Sequence, residues 1–192
     1  MNLILSLLRL SLTNPTNAGR VLVGLHLAPG TAFSAFALVI IAAVLLMFSL
    51  SGFHGVMLLP GFAPLSPWSL TAIMGGGTLG LCVCIWLISR AFSQSGRLAD
   101  GLLVFAWVQL LQTLLLIVQT ALMVISVNIA GLVGLFATVL IFWILFGLMN
   151  AWLELESMLK AALCFLLGLV ALSLGGAFLL VFFGFAPGQV TL

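Results

Sequence analysis

The sequence predicts an all-α membrane protein, with five transmembrane helices preceded by two short amphipathic helices on the membrane surface. Three observations support this fold class. Hydrophobic residues make up 65% of the 192 residues and charged residues only 4%, whereas a soluble domain carries about 25% charged residues. Five apolar segments reach the length of roughly 20 residues that a bilayer crossing needs. The charged residues lie outside these segments or near their ends, where they can reach water.

Residues 1–30 form the predicted surface region, which divides into two helices at Pro15. From 1 to 13, polar residues fall on one helical face and apolar residues on the other, and the segment is too short to cross a bilayer. Pro15 suits a first helical turn. Residues 16–27 repeat the amphipathic pattern until the Pro29-Gly30 pair ends it. Both helices are therefore expected to lie on the membrane surface.

Residues 31–187 are predicted to form the bundle. Its spans are predicted at 31–53, 68–92, 101–126, 129–152 and 161–185. The pair Val127-Asn128 is predicted to be the short turn between the third and fourth spans. Asp100 is placed to cap the third span, where its charge would meet the positive end of the helix dipole. Residues 188–192 are predicted to be a short external tail.

The basic residues predict the orientation of the bundle. Five spans put the two termini on opposite sides, and every basic residue then falls on the N-terminal side. These residues are Arg9, Arg20, Arg90, Arg97 and Lys160. Because basic residues concentrate on the cytoplasmic side of membrane proteins, we expect a cytoplasmic N-terminus and an external C-terminus.

The third span carries a polar stripe of Gln109, Gln112 and Gln119, which fall within roughly an 80° arc at about 100° per residue. Thr113 and Thr120 lie beside it. Two interpretations stay open: hydrogen bonds between helices, worth roughly 0.6–2 kcal/mol each, and a polar path for an ion or small solute. Proton and ion pumps usually keep an ionisable residue at mid-membrane. The predicted spans place none there, which argues against coupled transport.

Small residues mark candidate helix-packing positions in two spans. Gly76 and Gly80 form a GxxxG pattern in the second span, and Ala171 and Gly175 share the same spacing in the fifth. Such residues let helix backbones approach closely. The partner is expected to be another helix of the bundle, a second copy of the chain or another membrane protein.

Polar and charged residues gather at the predicted cytoplasmic mouth of the bundle. They are Arg90, Arg97, Asp100, Asn150 and Glu154. Together they form a candidate docking rim for a soluble partner, or else an ordinary solvated edge that fixes the topology.

Tryptophans near the ends of spans predict anchoring at the membrane interface, where indole rings are enriched. Trp68, Trp86 and Trp152 have such positions. Trp107 and Trp143 lie deeper and are expected to pack between helices.

The residue pattern indicates no catalytic, metal or cofactor site. Cys82 and Cys84 lie two residues apart, which turns them about 200° from each other on a helix. His26 and His54 are expected on opposite sides of about 30 Å of hydrocarbon. We find no nucleophile–base pair and no phosphate-binding loop, and the net charge of +2 gives no basic patch for a nucleic acid.

Two stretches carry a resemblance to a known family: TNPTNAGRVL before the first span, and GRLADGLLVFAWVQ at the start of the third. They resemble bacterial members of the Yip (Rab/Ypt-interacting protein) membrane-domain family. The resemblance covers roughly residues 14–184 and is best at 96–109. It implies a five-helix integral membrane protein with a cytoplasmic N-terminal segment. Eukaryotic relatives act at the Golgi with small GTPases and trafficking factors.

The expected function is non-enzymatic: a scaffold, assembly factor or bilayer-shaping protein of the Yip-domain type in the bacterial inner membrane. Two alternatives stay open. One is a small-solute or ion transporter or channel that uses the polar stripe. The other is an accessory subunit of a larger membrane complex. The expected partners are the lipid bilayer and either another membrane protein or a second copy of the chain, with no nucleic acid and no cofactor.

Overall fold

The computed structural model describes residues 2–52, 64–91, 96–155 and 157–182, which contain seven helices and no strand. The helices are α1 (Asn2–Thr13), α2 (Pro15–Val23), α3 (Pro29–Leu50), α4 (Pro67–Ala91), α5 (Leu98–Ile125), α6 (Val127–Trp152) and α7 (Met158–Phe182). Helices α3 to α7 have the length and hydropathy to cross a membrane. The predicted fold class is therefore confirmed. The predicted tail, His54 and the ends predicted for the first, second and fifth spans lie outside the described residues.

The start of α5 corrects the prediction for Asp100. The helix begins at Leu98, three residues earlier than expected, and its N-cap is Arg97, whose side chain makes no capping hydrogen bond. Asp100 consequently lies inside the first turn and is only 5% exposed. The helix extends backwards because Ala99, a strong helix former, is buried in the core together with the residues that follow.

The connection between α5 and α6 is also shorter than predicted. Only Ser126 separates the two helices, so Val127 and Asn128 already belong to α6. Ser126 is extended, at φ −161° and ψ 124°. Its N–H donates to the Leu122 carbonyl at 2.9 Å, and its own carbonyl accepts from the Ala130 N–H at 3.0 Å. One residue therefore satisfies the end of one helix and the start of the next.

The buried core lies at the end of the bundle that carries the charged residues, which we call the charged end. In α5 the buried side chains fall between Ala99 and Leu111, and in α6 they concentrate towards Trp152. Towards the opposite, uncharged end the same helices expose large apolar side chains, such as Val124 at 87%. The helices are thus packed tightly at the charged end and loosely at the other.

Helix α2 packs on the end of α6 and does not simply lie on the membrane surface. A Cβ atom added to Gly19 would stand 2.6 Å from the Ala151 Cβ and 3.1 Å from the Leu148 Cα. Ala18 and Leu22, on the face predicted to meet lipid, are buried instead. Two short helices were correctly predicted, but half of the apolar face of α2 covers protein because glycine permits this close approach.

Helix α1 is joined to α5 by a polar contact. The Trp107 indole N–H donates to the Ser11 hydroxyl at 2.9 Å, and that hydroxyl donates to the Leu7 carbonyl at 2.8 Å. Ser11 and Leu7 are buried, whereas Ile4 and Leu5 on the other side of α1 are exposed. One face of α1 is therefore seated on the bundle.

Trp152 is a core residue, so its predicted place at the membrane interface is wrong. It is 1% exposed, and its indole N–H donates to the Arg97 carbonyl at 2.8 Å. The ring lies directly against Gly101 and meets Phe105 edge-on at 6.4 Å between centroids. Trp68, by contrast, is 84% exposed, as an interfacial anchor requires.

Candidate functional site

The polar stripe of α5 faces a cavity of about 570 Å³ inside the bundle. Helices α5 and α6 form most of its wall, and α3, α4 and α7 complete it. The polar side chains in the wall are Thr78, Gln109, Gln112, Thr113, Gln119 and Thr138. All three glutamines predicted from the sequence thus line one cavity, because their spacing puts them on one face of α5. Gln109 and Gln119 are half-buried there, whereas Gln112 is exposed. We call this space the polar cavity.

The polar cavity reaches the middle of the membrane-spanning segment. Gln112 lies near the midpoint of the 28-residue helix α5, about 20 Å from either end at a rise of about 1.5 Å per residue. Gln109 lies one turn towards the charged end, and Gln119 lies two turns towards the uncharged end. An amide at this depth is costly unless it has a hydrogen-bond partner.

Only one of the three glutamines finds such a partner within the described parts of the chain. The Gln119 side-chain amide donates to the Ala130 carbonyl at 3.4 Å. It also lies so close to Gly134 that an added Cβ atom would stand 2.5 Å from the amide nitrogen. The side chains of Gln109 and Gln112 form no hydrogen bond with the described residues. Interhelical hydrogen bonding, one of the two interpretations of the stripe, therefore applies to Gln119 alone.

Each uncommitted amide offers two N–H donors and one carbonyl acceptor. The Thr113 hydroxyl donates to the backbone carbonyl of Gln109 at 2.8 Å, and the Thr138 hydroxyl donates to the backbone carbonyl of Gly134 at 2.9 Å. Each hydroxyl therefore uses its hydrogen in a bond to the helix backbone, but its oxygen can still accept a hydrogen bond from a ligand. The polar cavity can therefore both donate to and accept from a small polar molecule.

All residues that line the polar cavity are uncharged. An ion entering it would find no opposite charge to offset its desolvation in a region of low dielectric constant. A neutral polar molecule meets no such penalty, since amides can replace the water molecules that it loses. The lining thus favours a neutral solute over an ion.

Aromatic rings lie at the side of the polar cavity that is nearer the charged end, and we call them the aromatic floor. Phe165 packs edge-on against Phe142 at 6.2 Å and against Phe146 at 5.8 Å between centroids. Phe105 continues this floor and contacts Trp152 below it. Gln112 and Thr138, which lie nearer the uncharged end than Phe105 and Phe165, are exposed, so the cavity is open at its side.

The residues of the candidate docking rim do not form one continuous exposed surface. The Arg90 guanidinium stacks on the Trp86 ring at 4.2 Å. Asp100 is buried within electrostatic reach of Arg97 and His26. Asn150 and Glu154, the other two rim residues, line a groove beside α2. A soluble partner docking at this end would therefore meet only some of the five.

The small residues predicted to pack divide into two groups. A Cβ atom added to Gly80 would stand 2.9 Å from the Leu172 Cδ1, so Gly80 seats α4 against α7. Gly76 and Gly175 have open space where a side chain would be, and Ala171 is exposed. These three do not pack between helices of the described chain.

Two glycines outside the predicted spacing patterns make closer contacts than Gly80 does. A Cβ atom at Gly147 would stand 2.5 Å from the Pro15 Cγ, and one at Gly168 would stand 2.5 Å from the Ile85 Cγ1. Neither glycine belongs to a spacing pattern that was singled out. Their positions follow from the way distant helices meet, which local spacing does not encode.

The described residues contain no group of three or more His, Cys, Asp or Glu side chains placed to hold a metal ion. Comparison of the chain with protein-family models, curated proteins and solved structures finds no match. The five apolar helices define a multi-pass membrane protein, and any more specific role has to be argued from the cavities and surfaces above.

Proposed function

We propose that this protein binds a small uncharged polar solute in the polar cavity and lets it cross the membrane. The observation that carries the proposal is the pair of amides, Gln109 and Gln112, that face a cavity at mid-membrane without a protein partner in the described ranges. Stability alone would favour leucine at such positions, because an unsatisfied amide in hydrocarbon costs free energy. A passing ligand supplies the missing hydrogen bonds.

The lining limits the class of solute. With donors and acceptors but no charge, it suits a polyol or a small amide such as glycerol or urea. The volume of about 570 Å³ lies in the range of roughly 300–1,000 Å³ that is usual for small-molecule sites. The aromatic floor lies between the polar cavity and the charged end, so we expect passage to require that the Phe142, Phe146 and Phe165 rings separate.

The proposal predicts that purified protein in liposomes accelerates swelling in an inward gradient of glycerol or urea. Gln112→Leu should remove most of the added permeability, because it replaces the mid-membrane amide by a side chain that cannot bond the solute. Stopped-flow light scattering measures the rate. Sodium and potassium fluxes in the same liposomes should stay at the level of empty vesicles.

Two threonines on α5 provide a matched control. Thr113 and Thr120 both donate to the carbonyl four residues earlier at 2.8 Å, but only Thr113 lines the polar cavity. Thr113→Val should slow solute entry, and Thr120→Val should leave it unchanged. Equal rates for protein-containing and empty liposomes, or equal effects of the two valine variants, would refute a solute path along this stripe.

A second candidate function is that of a membrane scaffold or assembly factor, the role expected from the Yip resemblance. Open glycines on the outer surfaces of α4 and α7 support it. A Cβ atom added to Gly76, Gly77, Gly175 or Gly176 would meet no atom within 4 Å, which leaves room for a partner helix to approach. An accessory-subunit role would use the same surfaces.

Affinity purification from native membranes tests this second role. Gly76→Leu should keep the fold, since its side chain meets nothing in the chain, but should displace a partner seated there. Gly131→Leu is the matched control, because Gly131 is equally open but lies on α6. Recovery of the same partners with both variants would exclude this surface of α4 as the contact.

We also propose that the protein resides in a bacterial inner membrane with its N-terminus in the cytoplasm. The one-sided distribution of its basic residues supports this orientation.

A further inference from the structure

A second cavity, of about 510 Å³, lies at the charged end of the bundle between α2 and the end of α6. We call it the α2–α6 groove. Its lining includes Arg20 and His26 on one side and Asn150 and Glu154 on the other. Unlike the polar cavity, it combines charged groups of both signs.

One atom in the groove is unsatisfied. The side-chain oxygen of Asn150 is buried and has no hydrogen-bond partner among the described residues. Burial of an acceptor without a donor costs free energy, and native structures rarely leave one so. The oxygen itself is covered, but Asn150 lines the groove, so a rotation of its side chain would let a ligand seated there supply the donor.

Charges of opposite sign lie on the two walls of the groove. Arg20 on α2 is exposed, and its guanidinium donates to Asn17 at 3.4 Å, which leaves further N–H donors. Glu154 follows the end of α6 on the other wall, where its backbone takes a left-handed conformation with φ 52°. A ligand that spans the groove therefore meets a cation on one side, and on the other a carboxylate beside an unsatisfied acceptor.

We propose that the α2–α6 groove binds the head group of an ethanolamine phospholipid. Its primary ammonium donates to the Asn150 oxygen and the Glu154 carboxylate, and its phosphodiester accepts from the Arg20 guanidinium, as charge-assisted hydrogen bonds. Other head groups fit less well. An anionic head group brings no ammonium to offset the Glu154 carboxylate, whereas choline carries no N–H to donate to Asn150.

The groove lies at the depth of lipid head groups. Helix α6 has 26 residues and is about 39 Å long at about 1.5 Å per residue, which exceeds a hydrocarbon core of roughly 30 Å. Its last turn, with Asn150, therefore reaches the head-group layer. Val21 and Leu25 of the α2 segment remain 41% exposed beside the groove, where they can contact acyl chains.

The test places the full-length protein in phosphatidylcholine nanodiscs that contain a small amount of labelled test lipid. Native mass spectrometry then measures which lipids stay bound when the protein is released from the nanodisc. Phosphatidylethanolamine should be retained over phosphatidylcholine and phosphatidylglycerol by about five- to tenfold, the factor expected for one hydrogen bond to a buried acceptor. Asn150→Leu should abolish the preference over phosphatidylcholine.

A second variant keeps the test decisive if Asn150→Leu fails to fold. Arg20→Gln changes an exposed side chain and should lower phosphatidylethanolamine retention by a similar factor. Arg9→Gln removes one charge from α1 at the same membrane surface, outside the groove, and should change nothing. Equal retention of the three lipids, or equal losses from Arg20→Gln and Arg9→Gln, would overturn the proposal. A preference for phosphatidylglycerol would also overturn it, since it would indicate a plain anion site.

Discussion

Gly101→Ala should destabilise the bundle, because the new methyl group has no space beside Trp152. An added Cβ atom would stand 2.6 Å from both the Cε2 and the Cη2 of the indole. The ring is 1% exposed and donates a hydrogen bond to Arg97, so it cannot move aside without breaking that bond. Overpacking costs about 1–3 kcal/mol, and loss of the hydrogen bond costs about 0.5–1.5 kcal/mol more. Alanine returns about 0.5–1 kcal/mol of helix propensity, which leaves a net loss of about 0.5–4 kcal/mol.

Equilibrium unfolding in mixed micelles of dodecyl sulfate and a mild detergent, followed by tryptophan fluorescence, measures this loss. Gly176→Ala is the matched control, since it lies inside α7 with open space around its Cα and should gain the propensity alone. If Gly101→Ala proves as stable as the wild type while the control behaves as expected, the close contact between Gly101 and Trp152 is refuted.

Three further predictions concern the other contacts. Trp107→Phe removes the donor to α1 and should lower stability by about 0.5–1.5 kcal/mol, with faster hydrogen exchange confined to α1. Gly134→Ala should displace the Gln119 amide, which an added methyl group would meet at 2.5 Å, and should alter solute entry into liposomes without unfolding the protein. If the N-terminus is cytoplasmic, an impermeant maleimide added to intact cells should label a cysteine introduced at Val127 but not one introduced at Thr13.

The sequence predicted the helices well because lipid leaves little choice of backbone structure. In hydrocarbon every backbone N–H and C=O must be paired internally, so a long apolar segment has to be helical. The number of spans and the inward direction of the glutamine stripe follow from that rule and from helical periodicity. Errors arose at the ends of helices, at Asp100 and at Ser126. There the choice between loop and helix depends on what the flanking residues bury.

What the sequence could not predict is where two distant segments touch. A tryptophan or a glycine near the end of a span is common and predicts no contact. The contact between them is what buries Trp152 and leaves no space for a Cβ atom at Gly101. The same holds for the α2–α6 groove. Its two walls are far apart in the chain, and the unsatisfied oxygen of Asn150 becomes evident only once the surrounding atoms are placed.

The two ends of the bundle differ in how closely their helices are held together. At the charged end, indole hydrogen bonds and glycine contacts hold α5 and α6 together below the aromatic floor. Above that floor the helices are joined by the single residue Ser126 and by one long hydrogen bond from Gln119. Close packing resists rearrangement. If the proposed solute enters, we therefore expect the helices to move mainly between Gln112 and the uncharged end. We expect the closely packed charged end to hold the fold while Gln109 and Gln112 carry amides without a partner among the described residues.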